Sequence, residues 1–393
     1  MRDAYLALMN RVKYLPLVAA ILQDGIAMAD IWSRLSLYES RDLVSQLYQQ
    51  RHGGQINAAK AGEIVAHIAQ GKEYFQSAQG ASQLVSPLLL YYGVLSLSRG
   101  IILFLDKGAR EATLSESHGL ETLQWKEDLS VGSGKTEKLK LKIGERGTFR
   151  DLSRVTQNAE RAMLMGYAIP PEERHGMVLP HLAMILRTET DIVPAALVIT
   201  LEEILERLPE IVELFETTFG RHSKCYNATI EMNWLTTFTT CKVKRTALGL
   251  PAESEVRDAL RITPETMFEL VGAGVSYGEA EHYQFRLNHG SSEEADKVLP
   301  QVINDDQMNM FLVSPLASGW KLSPLLLRYL FAYAMGMLVR YHPSYWLSLI
   351  GKHKGDRAFP VLQSAVSSLQ HHFPELIYNE LANVGASNQT ATS

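Results

Sequence analysis

The chain has 393 residues, of which 46% are hydrophobic and 21% are charged, and its formal net charge is −5. This composition is typical of a globular protein and excludes a disordered chain, a collagen-like repeat and a disulfide scaffold. Proteins that coat nucleic acid non-specifically carry a strong basic excess, so any contact with nucleic acid here would need a local basic patch.

Apolar residues recur at three- and four-residue spacing over residues 1–107, which predicts helices, including one near 57–79. Ser86-Pro87 is a typical helix start, because serine can cap a helix and proline fits its first turn. The same start recurs at Ser323, where six of seven positions match. A duplicated helical unit and the chance recurrence of a common helix start both account for this similarity.

The pattern changes after residue 108. Lys138 to Ile143 alternates polar and apolar residues between glycines, which predicts a strand. We predict helices at 156–166 and 201–215, the second opened by a capping box of Thr200 and Glu203. Residues 226–243 are rich in threonine, aromatic and β-branched residues and predict one or two strands. A last helix is predicted at 359–381.

These elements predict a mainly α fold, a helical body with small β insertions and no doubly wound sheet. We expect an N-terminal helical region over 1–125, a mixed region with strands and an acidic helix over 126–260, and a C-terminal helical region over 261–384. The polar segment 385–393 is expected to be a disordered tail.

The two cysteines, Cys225 and Cys241, form no CxxC pair, and two thiols in so long a chain favour a reducing compartment. We therefore expect cytoplasmic localisation. The apolar segments 84–105 and 322–341 each contain an arginine, Arg99 or Arg328. Because a charge at the centre of a membrane span is costly, we predict that both are buried core helices and that no membrane is a partner.

Several motifs resemble the YaaC-like family, which has no assigned activity. They are Pro87-Leu88-Leu89-Leu90-Tyr91-Tyr92-Gly93 with Ser98-Arg99-Gly100 and His118-Gly119-Leu120, the turn Gly147-Thr148-Phe149, and Arg340-Tyr341-His342-Pro343-Ser344-Tyr345-Trp346. The resemblance extends over most of residues 30–385. It implies a helical body with a small β-containing segment, and it implies no activity.

A ligand site is predicted from six polar and aromatic residues: Tyr92, Arg99, His118, Arg340, His342 and Trp346. Tyr92 and Arg99 are seven residues apart and so share one helix face. An arginine in an apolar helix must be paired or solvated, because an isolated buried charge costs several kcal/mol. If Arg99 and Arg340 converge, they form an anion-binding pocket for phosphate or carboxylate, with Trp346 as a stacking platform. In the other interpretation each arginine pairs with an internal carboxylate and Trp346 is a core residue.

Two further patterns bear on phosphate chemistry. Gly132-Ser133-Gly134-Lys135-Thr136 ends like a phosphate-binding loop, but Leu129 stands where that motif requires its first glycine, so we predict a hairpin turn. From Lys135 to Arg154 there are seven lysines or arginines against three carboxylates. The lysines that alternate with Leu139, Leu141 and Ile143 would share one face of a strand. Two interpretations are open: the face binds phosphates, or it is a solvated face that protects a sheet edge.

The sequence favours a binding or interaction module, whose arginine-lined groove takes a phosphate-bearing ligand, nucleic acid or a protein partner, a second copy of the chain included. The alternative is a metal-independent, HEPN-like ribonuclease or nucleotide-cleaving enzyme, because Arg174 and His181 match the Arg/His spacing of such enzymes. Gly176 and Pro180 disfavour the helix that those enzymes use. No motif indicates a cofactor or a metal site.

Overall fold

The computed structural model describes residues 28–130, 135–167, 182–233, 237–264, 266–272, 280–289, 298–305, 309–351 and 356–382. More residues are helical than lie in strands, so the predicted mainly helical fold with β insertions is confirmed. The turn predicted at 132–134, the pair Arg174 and His181, and the tail 385–393 lie outside the described residues.

The described helices are α1 (Met28–Leu35), α2 (Arg41–His52), α3 (Ala58–Gly80), α4 (Ser86–Leu105), α5 (Trp125–Ser130), α6 (Thr148–Thr156), α7 (Leu201–Leu205), α8 (Val212–Phe219), α9 (Glu253–Leu260), α10 (Pro324–Tyr341), α11 (Pro343–Ile350) and α12 (Phe359–Leu381). The described strands are β1 (Leu120–Leu123), β2 (Lys140–Ile143), β3 (Glu160–Tyr167), β4 (Leu182–Thr188), β5 (Val198–Thr200), β6 (Cys225–Asn233), β7 (Phe238–Lys244), β8 (Phe268–Val271), β9 (His282–Asn288), β10 (Gln301–Asn304) and β11 (Met310–Val313).

Helix α4 is the centre of the helical body, where it packs along α3 and α10 and also contacts α6 and α12. Glycines allow the close packing: a Cβ atom on Gly71 would lie 2.6 Å from the Leu97 side chain, and one on Gly336 would lie 2.8 Å from Tyr91. By length and composition α4 could cross a membrane, but most of it is buried inside the protein. Both α4 and α10 are therefore buried core helices, as predicted.

The two Ser-Pro helix starts differ in their capping. Ser323 caps α10, since its hydroxyl accepts a hydrogen bond from the amide of Leu326. The prediction that Ser86 caps α4 is wrong, because Ser86 is already helical and its hydroxyl donates to the carbonyl of Ala78 at 3.1 Å. The sequence similarity of the two segments therefore does not extend to the role of the serine.

A three-stranded antiparallel sheet has the order β1-β2-β5 and confirms the predicted lysine-rich strand. Leu141 and Ile143 point into the core, while Lys140 is exposed. Two neighbouring lysines are neutralised: Lys138 pairs with Glu202, and Lys142 lies 3.2 Å from Glu121. The lysines thus form a solvated face that already carries carboxylate partners.

A second sheet of eight strands spans residues 160–313, with the order β10-β11-β6-β7-β9-β8 and with β3 joining β4 to β6. The predicted strands in 226–243 are confirmed as β6 and β7, whereas β8 to β11 were not predicted. The helix predicted at 156–166 is wrong. Residues 160–167 form β3 instead, because they pair with β4 and bury Ala162 and Leu164 in the sheet core.

The capping box of Thr200 and Glu203 is confirmed at the start of α7. The predicted helix over 201–215 is interrupted, because α7 ends at Leu205 and α8 begins at Val212. Pro209 begins a short 3₁₀ turn between them. Proline has no amide hydrogen to donate and so cannot continue an α-helical hydrogen-bond ladder.

Candidate functional site

The segment 115–119 is held in place by backbone contacts with the start of α6. The amides of Thr148 and Phe149 donate to the carbonyls of Ser117 and His118, each at 3.1 Å. The two backbones touch at Gly119 and Gly147, where a Cβ on Gly147 would lie 2.3 Å from the Gly119 amide nitrogen. This contact fixes the position of His118.

The His118 imidazole packs against one tyrosine ring from α4 and one from α10. Its ring centroid is 5.5 Å from that of Tyr91 and 5.9 Å from that of Tyr333. The backbone around it is also held by α10, since the hydroxyl of Tyr333 donates to the carbonyl of Leu120 at 2.9 Å. His118 is half-buried, and its Nδ1 atom is buried.

Arg99 lies on α4, half-buried, beside the segment that carries His118. Its Nη2 atom donates to the carbonyl of Ser115 at 3.2 Å, and its buried Nε atom has no hydrogen-bond partner among the described residues. Arg340 lies at the end of α10 and is exposed. Its Nη1 atom donates to the hydroxyl of Tyr92 at 3.2 Å, and its guanidinium carbon lies 5.1 Å from the ring centroid of Tyr341.

The charges of both arginines act on one imidazole. The pKa of His118 is lowered, first by burial and then by the positive charges of Arg99 and Arg340. Within the described part of the chain, neither guanidinium forms an ion pair with a carboxylate. Arg328 differs, since it is buried and paired with the carboxylate of Glu210. Among the described residues, the site therefore has two positive charges without a carboxylate partner, and both disfavour protonation of His118.

Several buried polar atoms around Arg99 lack a hydrogen-bond partner among the described residues. They are the Tyr91 hydroxyl, the Ser98 hydroxyl, Nε of Arg99, Nδ1 of His118 and both ring nitrogens of His67. Tyr91 and Ser98 are fully buried. Such groups are rare in folded proteins, because each costs about 1–3 kcal/mol when it is left unsatisfied. His67 Nε2 nevertheless lies 3.6 Å from the carboxylate of Glu111.

A family model described as YaaC-like Protein matches residues 36–381. The chain belongs to the YaaC-like family. No curated protein and no solved structure matches the chain. The family match includes all six residues of the predicted site. Among the described residues of this YaaC-like chain, no group of three or more His, Cys, Asp or Glu side chains is placed to hold a metal ion.

Two residues of the predicted site lie apart from the arginines' contacts in this YaaC-like chain. Trp346 is only 2% exposed, its indole N–H donates to the carbonyl of Gln83 at 3.0 Å, and its ring packs 5.9 Å from Phe359. Trp346 is therefore a core residue, in agreement with the second interpretation of the sequence. His342 packs near Trp125, with ring centroids 6.2 Å apart, and burial lowers its pKa.

The sequence interpretation missed His67, Tyr91 and Tyr333. His67 lies on the buried face of α3, and its pKa is lowered overall. Burial is the main cause, Glu111 opposes it, and the positive charge of Arg99 adds to it. Its signal was a histidine between buried apolar positions, Ile64 and Ile68, of one helix face. Tyr91 and Tyr333 gave no signal of their own, since buried tyrosines usually belong to the core.

A separate cleft of about 610 Å³ lies between α7, α9 and residues 314–317. Its cations are already used inside the protein: Arg207 donates to the carbonyls of Ser314 and Pro315 and pairs with Glu206 at 2.6 Å. Lys224 also lies 2.9 Å from Glu255. The cleft therefore offers a ligand few unpaired charges, unlike the surroundings of Arg99.

Proposed function

We propose that the protein binds a small ligand through a phosphoryl group, at the site formed by Tyr92, Arg99, His118 and Arg340. The observation that carries this proposal is the pair of guanidinium groups that both act on His118 without a carboxylate partner among the described residues. Two positive charges that act on one imidazole give this place a positive electrostatic potential, and such a potential attracts an anionic ligand.

The unused hydrogen-bonding capacity supports the same class of ligand. Guanidinium groups only donate, and the N–H groups of Arg340 that do not bond Tyr92 are available. Tyr92 accepts from Arg340 and keeps its own O–H as a donor. The site thus offers mainly donors, and a phosphoryl group offers only acceptors around a tetrahedral centre. A single carboxylate, with two oxygens, would use fewer of these donors.

Isothermal titration calorimetry with inorganic phosphate and pyrophosphate tests the proposal. Arg340→Ala should weaken binding by about tenfold to a hundredfold, since a hydrogen bond to a charged group contributes roughly 1.5–3 kcal/mol. Arg99→Lys should also weaken it, because an ammonium group cannot reproduce the planar array of guanidinium donors. Arg245→Ala is the matched control, since Arg245 is an exposed arginine next to β7.

The expected pattern is loss in both site variants and none in the control. Unchanged affinity in Arg340→Ala, or equal losses in Arg340→Ala and Arg245→Ala, would contradict the assignment of the site. Absence of phosphate and pyrophosphate binding by the unmodified protein would contradict the function itself. Circular dichroism of each variant establishes that the helical fold is retained.

A further inference from the structure

Two tyrosines contact Arg340 at the proposed site, and a third, Tyr74, packs against one of them. The hydroxyl of Tyr92 bonds Arg340, and the ring of Tyr92 lies 5.6 Å from that of Tyr74. The ring of Tyr341 packs against the same guanidinium, with its centroid 5.1 Å from the guanidinium carbon. Tyr341 is 61% exposed, whereas Tyr91 and Tyr333 below it are buried.

The aromatic rim and the anion site are continuous. The Tyr341 hydroxyl is close enough to raise the pKa of Tyr333 after the larger effect of burial, and the Tyr333 ring lies 5.9 Å from His118. The Tyr91 ring connects Tyr92, at 5.7 Å, to His118, at 5.5 Å. A ligand whose anionic group reaches Arg99 and His118 would therefore have its remaining part beside the tyrosines.

We infer that the phosphoryl ligand is a mononucleotide, with its phosphate facing Arg99 and Arg340 and its base against the rim formed by Tyr92 and Tyr341. This inference rests on the proposed function. Aromatic side chains bind bases by stacking, whatever the base, because every base has a π-face. The partly buried Tyr92 and the exposed Tyr341 supply such surfaces beside a cation.

A single nucleotide fits better than a polynucleotide. A polynucleotide needs a positively charged track along its backbone, and binding then depends strongly on salt. Around β2, Lys138 and Lys142 are already paired with Glu202 and Glu121, which leaves fewer cations for such a track. The net charge of −5 agrees with a ligand that carries few phosphates.

The test is a calorimetric comparison of inorganic phosphate, ribose 5-phosphate, AMP and UMP on the full chain. Both nucleotides should bind about tenfold or more tightly than ribose 5-phosphate, since stacking of one base contributes on that scale. Tyr341→Ala should lower the affinity for AMP and UMP more than the affinity for ribose 5-phosphate and inorganic phosphate, and Tyr341→Phe should keep the gain. Leu347→Ala removes another exposed apolar side chain, 55% exposed on α11, and should change none of these affinities.

The outcomes separate the two proposals. Equal affinities for ribose 5-phosphate and AMP, with phosphate still bound, would overturn the nucleotide and leave the anion site intact. No binding of any phosphoryl compound would overturn both. Affinity for single-stranded oligonucleotides that rises with their length beyond that of AMP would replace the mononucleotide by a polynucleotide.

Discussion

Replacing Gly147 by alanine should disrupt the segment that carries His118. Gly147 has φ +121° and ψ 175°, a backbone region almost restricted to glycine. Holding an alanine in this region costs about 1–3 kcal/mol. The new Cβ atom would also lie 2.3 Å from the Gly119 nitrogen, 2.5 Å from the Gly119 Cα and 2.7 Å from the Ser117 carbonyl oxygen. All three are backbone atoms that cannot rotate away, and overpacking of this kind adds roughly 1–3 kcal/mol. The expected loss in the free energy of unfolding is therefore about 2–6 kcal/mol.

Gly53→Ala is the matched control. Gly53 also has a positive φ, +68°, but nothing lies within 4 Å of the position that its Cβ would take. The left-handed conformation alone costs alanine about 1–2 kcal/mol. Urea denaturation of both variants measures the difference, and calorimetry with inorganic phosphate measures the effect on the site. A loss in Gly147→Ala no larger than that in Gly53→Ala would refute the reasoning that close backbone contact positions His118.

Three further predictions concern buried polar groups. Glu210→Gln removes the carboxylate that pairs with the buried guanidinium of Arg328, although the charge of Glu375 still acts on that guanidinium. The free energy of unfolding in urea denaturation should fall by up to about 3–5 kcal/mol. Glu210→Leu combined with Arg328→Met should recover most of this loss, and failure to recover it would contradict an ion-pair origin. Burial raises the pKa of Glu160 from its usual 4.5 to about 8, so the folded state keeps a proton that the unfolded state releases, and stability should fall as pH rises across that interval. Glu160→Gln should abolish this fall in melting temperature against pH; an unchanged slope would assign the fall to other groups. Trp346→Phe loses the bond to Gln83 and should cost about 1 kcal/mol of stability without changing phosphate affinity, whereas a weaker affinity would place Trp346 in the site.

The local pattern of the chain predicted its longest helices well. The ranges near 57–79 and 359–381 agree with α3 and α12, because their apolar spacing and helix-start residues act within one or two turns. The segment 156–166 shows the limit of such patterns. Its residues form β3 through pairing with β4 and β6, and that pairing depends on strands that lie further along the chain.

The arginines show the same limit for the site. Arg99, Arg328 and Arg340 all stand in apolar helices, and the cost of a buried charge marks each of them in the sequence. Arg328 proved to be paired with Glu210, 118 residues distant, whereas Arg99 and Arg340 both lie near His118. Trp346 belongs to the same sequence motif as Arg340, which predicted it for the site, but its side chain lies in the core.

By itself, the sequence determined that this is a mainly helical chain with apolar central helices that contain arginine, because helix periodicity and the cost of a buried charge are local properties. Only the tertiary structure decided which arginine pairs with a carboxylate and which arginines lie near an imidazole and tyrosines. Ion pairing and hydrogen bonding act over a few ångströms in space, and the folded chain alone sets which distant residues come within that range.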